Sequence, residues 1–117
     1  MPLLSIVCSA VPPPPRRGEI LAGLSRLLAR ELEKPEGYVM VSIAQPLALS
    51  FGADATRPAC YAELKNVGTL PAERFEHLSA VLCRELAAAL AVAPDRIYIE
   101  FTNASGAQWG WNGTTFA

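Results

Sequence analysis

Pro2 is the one residue of this chain whose chemistry depends on processing. Initiator Met is commonly removed when the second residue is small, and proline qualifies. Removal of Met1 would turn the Pro2 nitrogen into a free secondary amine. Free α-amino groups titrate near ~8. Apolar surroundings or a nearby cation lower that value by disfavouring the charged form. An amine that is neutral near pH 7 is a competent general base. Position alone favours a plainer alternative, a proline that opens an edge strand, where its missing N–H does little harm.

Other sources of chemistry are sparse. His77 is the only histidine, so a Ser-His-Asp or Cys-His arrangement would have to use it. It sits beside Leu78 and near Glu73 and Glu76, and reads as a solvated helix histidine. Cys8, Cys60 and Cys83 are widely spaced with no CxxC pair. A disulfide framework and a thioredoxin-like redox motif are therefore not expected. One His and two Asp give a metal site little raw material, and no metal or cofactor is expected. Neither GxGxxG nor GxxxxGKS occurs. Asn103-Ala104-Ser105 and Asn112-Gly113-Thr114 match the glycosylation sequon, a motif that is common by chance.

The chain has 117 residues, which fits one domain spanning 1-117. Half of its residues are apolar and 18% are charged, as in globular proteins. The net charge is −1 and the basic residues are scattered, so nucleic acid is not an expected partner. The longest apolar run, Leu86 to Ala93, is far short of the ~18–20 residues that a membrane span requires. The stretch Leu3 to Cys8 lacks a preceding Lys or Arg and is followed by Pro12 to Pro15, unlike a secretory signal. Cytoplasmic residence is the default expectation, with export without a signal peptide as the alternative.

The elements that would position Pro2 come in two copies. Ile20, Leu24, Leu28 and Leu32 recur at four-residue spacing, from about Gly18 to Lys34. Leu78, Leu82, Leu86 and Leu90 do the same, from about Pro71 to Ala91. Both sets predict an amphipathic helix with one buried face. A shift of 58 positions carries the first set onto the second. It also carries Val39, Val41 and Ile43 onto Ile97, Ile99 and Phe101, which alternate as strands do. Candidate strands precede each helix at Leu3 to Ser9 and Ala59 to Val67.

The chain thus reads as two pseudo-repeats, about 1-58 and 59-117, each strand–helix–strand with a right-handed parallel crossover. The fold class is α/β, an α+β two-layer sandwich. Its duplicated β-α-β units form a four-stranded mixed sheet with two helices on one face. Ile97, Ile99 and Phe101 should face the helices, and Tyr98 and Glu100 the open side, with Tyr38 and Met40 on the equivalent side of their strand. A partly apolar open face predicts burial against other subunits.

Read together, several motifs resemble one family. They are Met1-Pro2-Leu3, Val11-Pro12, Lys34-Pro35 with Tyr38-Val39-Met40, and Phe51-Gly52. Glu63-Leu64-Lys65-Asn66-Val67-Gly68, Pro94-Asp95-Arg96-Ile97-Tyr98-Ile99 and Trp109-Gly110-Trp111-Asn112-Gly113-Thr114-Thr115-Phe116 complete the series. In this order they look like the macrophage migration inhibitory factor family, which includes D-dopachrome tautomerase. The style looks closest to plant and microbial homologues.

The resemblance implies a homotrimer with active sites between subunits. It also implies keto–enol tautomerisation of aromatic 2-keto acids such as phenylpyruvate, and of dopachrome-like compounds. By the same resemblance, Pro2 would be the base and Lys34 would bind the substrate carboxylate and help keep Pro2 neutral. The backbone N–H of Val67 would also meet the carboxylate. Tyr98 of a neighbouring subunit would border the aromatic ring, and Tyr38, Trp111 and Phe116 would line the rim. Asn66 and Glu100 complete the candidate substrate contacts.

This chain departs from the family at several of these positions. Ala59-Cys60-Tyr61-Ala62 stands where the vertebrate cytokine has CxxC, so thiol–disulfide activity is not expected. Glu100 replaces an amide and would repel an anion, Lys65-Asn66 replaces a different polar pair, and Trp109 fills a smaller residue's place. Because the family includes a cytokine, a signalling or binding protein with a vestigial pocket is the alternative. A regulatory module of ferredoxin-like fold is a third reading, resting on the duplicated fold alone.

Overall fold

A computed structural model of the chain describes residues 1–10 and 12–117. Val11, one of the residues that carry the family resemblance, lies outside the described residues.

The expected two-layer architecture is present. Strands β1 (Leu3–Cys8), β2 (Met40–Ile43), β3 (Cys60–Val67) and β4 (Ile97–Ala104) form one sheet in the order β2-β1-β3-β4. β1 runs parallel to β2, and β3 runs parallel to β4. The two repeats join through the antiparallel pair β1–β3, from Leu3 opposite Lys65 to Cys8 opposite Cys60.

Helices α1 (Pro14–Leu32) and α2 (Ala72–Leu90) pack on one face of this sheet. Leu24, Leu28 and Leu32 of α1 and Leu78, Leu82, Leu86 and Leu90 of α2 are buried against Leu4, Ile6, Cys8, Ala62 and Leu64 of the central strands. Each such side chain taken from water contributes about 2 kcal/mol.

The 58-residue shift holds in the structure and reaches further than apolar spacing. It superimposes the bounds of α1 on those of α2. Both helices end at a left-handed residue, Glu33 at φ 54° and Ala91 at φ 55°. A single 3₁₀ turn follows each, Glu36–Tyr38 and then Pro94–Arg96. One boundary differs from the sequence reading. α1 begins at Pro14 rather than near Gly18, because Pro14 and Pro15 occupy its first turn. Proline is tolerated there, since first-turn N–H groups have no helical partner.

The chain ends in a small hairpin, β5 (Gly110–Trp111) against β6 (Thr114–Thr115). Asn112 at φ 50° and Gly113 at φ 80° make the tight turn between them, the left-handed pair that two-residue hairpins favour. Phe116 N–H then donates to the carbonyls of Gly106 and Trp109, at 3.0 and 3.2 Å. A side chain at position 106 would collide with the Phe116 backbone, so the close return of the tail requires glycine.

At the other end of the molecule, Arg96 is buried, 3% exposed. Its guanidinium donates to the carbonyls of Pro58, Phe51, Asp54 and Arg57. This fork pins the loop between β2 and β3 to the start of β4. Lysine cannot satisfy four acceptors from a single point. Arg96→Lys is expected to lower the unfolding free energy by about 2–4 kcal/mol, measured by urea denaturation. Hydrogen exchange should accelerate at the Phe51 and Asp54 amides, which bond to each other's carbonyls.

Candidate active site

β1 carries Pro2 into the molecule at its leading end. The Pro2 side chain is almost wholly buried, and its carbonyl accepts from Met40 N–H at 3.0 Å. A groove of about 360 Å³ opens there, lined by Pro2, Tyr38, Met40, Trp109, Trp111 and Phe116 among others. Its wall is aromatic. Tyr38 meets Trp111 and Phe116 edge-on, with centroids 5.3 and 6.0 Å apart, while Trp111 and Phe116 stack at 5.9 Å. The 3₁₀ turn after α1 delivers Tyr38, and the terminal hairpin delivers the other two.

Lys34 follows the left-handed end of α1. Its backbone N–H bonds to Ala29, and its ammonium reaches across to donate to the Val67 carbonyl at 3.2 Å. The cation therefore stands beside the end of β3 and acts on the amino-terminal end of the chain. The α-amine of Met1 is held below its ordinary value by burial and then by Lys34.

The register refines these placements. The carbonyls of Pro2, Ile6 and Cys8 point to the β2 side, whereas Ser9 N–H bonds to Ala59 of the β3 side. Continuing Leu3 opposite Lys65 by one step sets Pro2 opposite Asn66, as a pair without mutual backbone bonds. Gly68 N–H bonds to Ala104, toward β4, so by alternation the backbone groups of Val67 turn toward β1.

Of the residues singled out from sequence, Pro2, Tyr38, Trp111 and Phe116 share the groove, and Lys34 and Val67 meet beside it. Asn66 does not line it. It is 2% exposed and lies on the helix side of β3 with Leu64, because strand alternation turns it away from Lys65. Tyr98 and Glu100 lie on β4 at the opposite edge of the sheet. Tyr98 packs on Phe51 at 4.7 Å and lines a separate cleft of about 250 Å³ with Tyr61 and Cys60. Glu100, on the open face, accepts from the Thr102 hydroxyl at 2.7 Å.

Sequence reasoning gave no groove role to Met40, whereas Trp109, marked there as a departure from the family, does line the groove. Alternation had already put Met40 on the open face, where it is 64% exposed. Tyr38 sits in the 3₁₀ turn before β2 rather than in the strand itself. His77 bridges to Glu31 of α1 at 3.0 Å on the helical surface and does not line the groove. Among the described residues, no cluster of His, Cys, Asp or Glu could hold a metal ion, and no helix is long and apolar enough to cross a membrane.

The comparisons with known proteins agree with this architecture. Residues 1–117 match the family described as macrophage migration inhibitory factor (MIF). A macrophage migration inhibitory factor homolog of Trichinella spiralis is 39% identical over 98 residues, 84% of this chain and 85% of that protein. The macrophage migration inhibitory factor of Xenopus tropicalis is 34% identical over 98 residues, 84% of each chain. The crystal structure of the homologue from Prochlorococcus marinus superimposes with a TM-score of 0.91 at 37% identity, covering 98% of this chain and 99% of that one.

The duplicated sheet and helix pair define a two-layer fold of the MIF type. The chain belongs to the macrophage migration inhibitory factor/D-dopachrome tautomerase family. Membership supports isomerase activity of the tautomerase type at the level of the family. The plant and microbial style expected from the motifs is too narrow, since the similarity extends to animal proteins.

The cysteines have no part in the groove. Cys60 is buried, and desolvation, with Cys8 adding to it, pushes its thiol up to about 12. Cys8 is fully buried and Cys83 partly exposed. A thiol reagent such as Ellman's should titrate one cysteine per native chain, Cys83, and three after denaturation.

Proposed function

We propose that this protein is a keto–enol tautomerase acting on aromatic 2-keto acids such as phenylpyruvate, with dopachrome-like compounds as further substrates. The observation that carries this reading is the buried Pro2 at the edge of an aromatic groove with a lysine beside it. A planar aromatic acid needs such a set of groups. Its ring packs against Tyr38, Trp111 and Phe116, and its carboxylate seeks a cation and an N–H.

In this mechanism Met1 is removed and Pro2 becomes the terminal amine. Burial and Lys34 act on an amine at this end of the chain in one direction, toward the neutral form. Neutral Pro2 takes the proton from the carbon beside the keto group, then returns it to the oxygen. Lys34 and the Val67 N–H hold the carboxylate. Tyr98 and Glu100 join the groove from a neighbouring copy in a homotrimer, Tyr98 bordering the ring.

Enol–keto conversion of phenylpyruvate, followed by ultraviolet absorbance, tests the reading. Pro2→Gly is expected to reduce kcat/KM at least about a hundredfold, the scale of general-base contributions. Undiminished rates in this variant would remove Pro2 from the chemistry. Lys34→Ala is expected to raise KM about tenfold or more through loss of a charge-assisted contact.

The pH profile supplies a further check. A base must be neutral to act, so kcat/KM should fall as pH drops through the Pro2 pKa. That midpoint should lie below the ordinary ~8 of an α-amine. Removing the Lys34 charge relieves repulsion of the ammonium, and the acid limb of Lys34→Ala should move to higher pH. A shift to lower pH would contradict the assigned electrostatics.

A further inference from the structure

Asn66 is the unexplained residue of this region. Among the described residues, its Oδ1 is the buried side-chain polar atom that has no hydrogen-bond partner. Leaving such an acceptor unpaired costs about 1–3 kcal/mol, and folded proteins rarely tolerate it without reason. The family reading does not supply one, because Asn66 is 2% exposed and does not line the groove.

Its position does supply one. The β1–β3 register, carried one step past Leu3–Lys65, sets Asn66 directly opposite Pro2. Both side chains lie on the buried side of the sheet, next to Leu64 and Leu4. The pair lacks mutual backbone bonds, the class in which facing side chains come closest. With Met1 attached, the Pro2 nitrogen is a tertiary amide and has no hydrogen to offer. After processing it carries one N–H, and two when protonated. The unpartnered acceptor and the newly formed donor thus belong to the same cross-strand pair.

We propose that Asn66 Oδ1 accepts the N–H of processed Pro2 and stabilises its protonated form while it carries the substrate proton. This rests on the reading of Pro2 as the base. It gives Asn66 a role distinct from substrate binding and opposite in sign to that of Lys34. Burial and Lys34 weaken the hold of Pro2 on a proton. An acceptor on the ammonium strengthens it, keeping the base basic enough to take the proton and weak enough to return it.

At this end of the helix layer, the end of α1 and the start of α2 carry Glu31, Arg74 and His77, with Arg74 donating to the Glu31 carbonyl and His77 paired with the Glu31 carboxylate. Lys34 comes from the end of α1, flanked by exposed Glu33 and Glu36, and Tyr38 from the turn that follows. β2, the hairpin and the Gly68–Pro71 connection contribute no titratable side chain. Glu63 and Lys65 of β3 alternate onto the opposite face.

The experiment uses the full chain with Met1 removal verified by intact mass. The Pro2 pKa is measured by ¹⁵N NMR, independently of turnover, in wild type, Asn66→Leu and Asn66→Asp. Asn66→Leu should lower it by about one unit, and Asn66→Asp should raise it by about one unit or more. The acid limb of kcat/KM should move with it. Asn66→Leu should lose about tenfold in kcat with KM changed less than about twofold. Asn66→Ser, a shorter acceptor, should restore part of the loss.

An unchanged Pro2 pKa in folded Asn66→Leu overturns the proposal. If that variant does not fold, an unchanged value in Asn66→Asp does so. Should Pro2→Gly retain full activity, the base assignment fails by itself. The NMR titration still decides whether Asn66 holds the amine.

Discussion

The antiparallel pairing of β1 with β3 is the constraint on which the rest depends. It joins the two repeats, sits at the centre of the sheet and fixes which side chains are buried. Leu4, Ile6 and Cys8 face the helices together with Cys60, Ala62 and Leu64. A slip of one residue in β1 would turn this set toward the open face and bring Leu3, Ser5 and Val7 inward. Carried one step further, the same register sets Pro2 opposite Asn66. Burial of the core and placement of the amine are therefore one decision, enforced by apolar side chains worth several kcal/mol in sum.

Duplication relates the groove at Pro2 to the cleft at Tyr98, of which only the first carries a candidate base. The 58-residue shift takes Pro2 to Cys60, Lys34 to Val92 and Tyr38 to Arg96. It also takes Phe51-Gly52 to Trp109-Gly110, so the Phe51 cleft is the counterpart of the Trp109 groove. The second copy has a thiol pushed to about 12 where the first has Pro2, and an aliphatic side chain in place of the lysine. Its buried arginine is spent on four loop carbonyls, whereas Tyr38 is left free to wall the groove. The two repeats thus differ in chemistry at the ends of equivalent strands, outside the core they share.

Most of the fold was legible because it follows from periodicity. Leucines four apart specify a helix face, and Val39, Val41 and Ile43 specify a strand, without reference to anything distant. The Pro14–Pro15 start was harder, since a proline run reads as an interruption unless its place in the first turn is known. The site was legible only in part. Motifs named Pro2, Lys34, Tyr38 and Trp111, but which face Asn66 occupies depends on a register anchored by both strands. Nothing local in Pro94-Asp95-Arg96 marks the arginine for burial. Its burial arises from carbonyls some 40 residues away in sequence.

Tyr98 shows what a single chain's sequence and fold can do with one residue. It pairs with Tyr61, which pairs with Val7, so it lies two strands from β1 and five residues along from Pro2. Strand spacing and rise put that at roughly 19 Å. The β3–β4 ladder holds it there, and the Phe51 ring packs against it. No rearrangement that keeps the sheet intact brings Tyr98 to Pro2 of its own chain. If Tyr98 borders a bound ring, it does so from a second copy. The face that presents it, with Tyr98 and Met40 each 64% exposed, is the one the helices leave open. Both placements follow from the same two-layer geometry: a sheet covered on one side buries Pro2 on that side and exposes Tyr98 on the other.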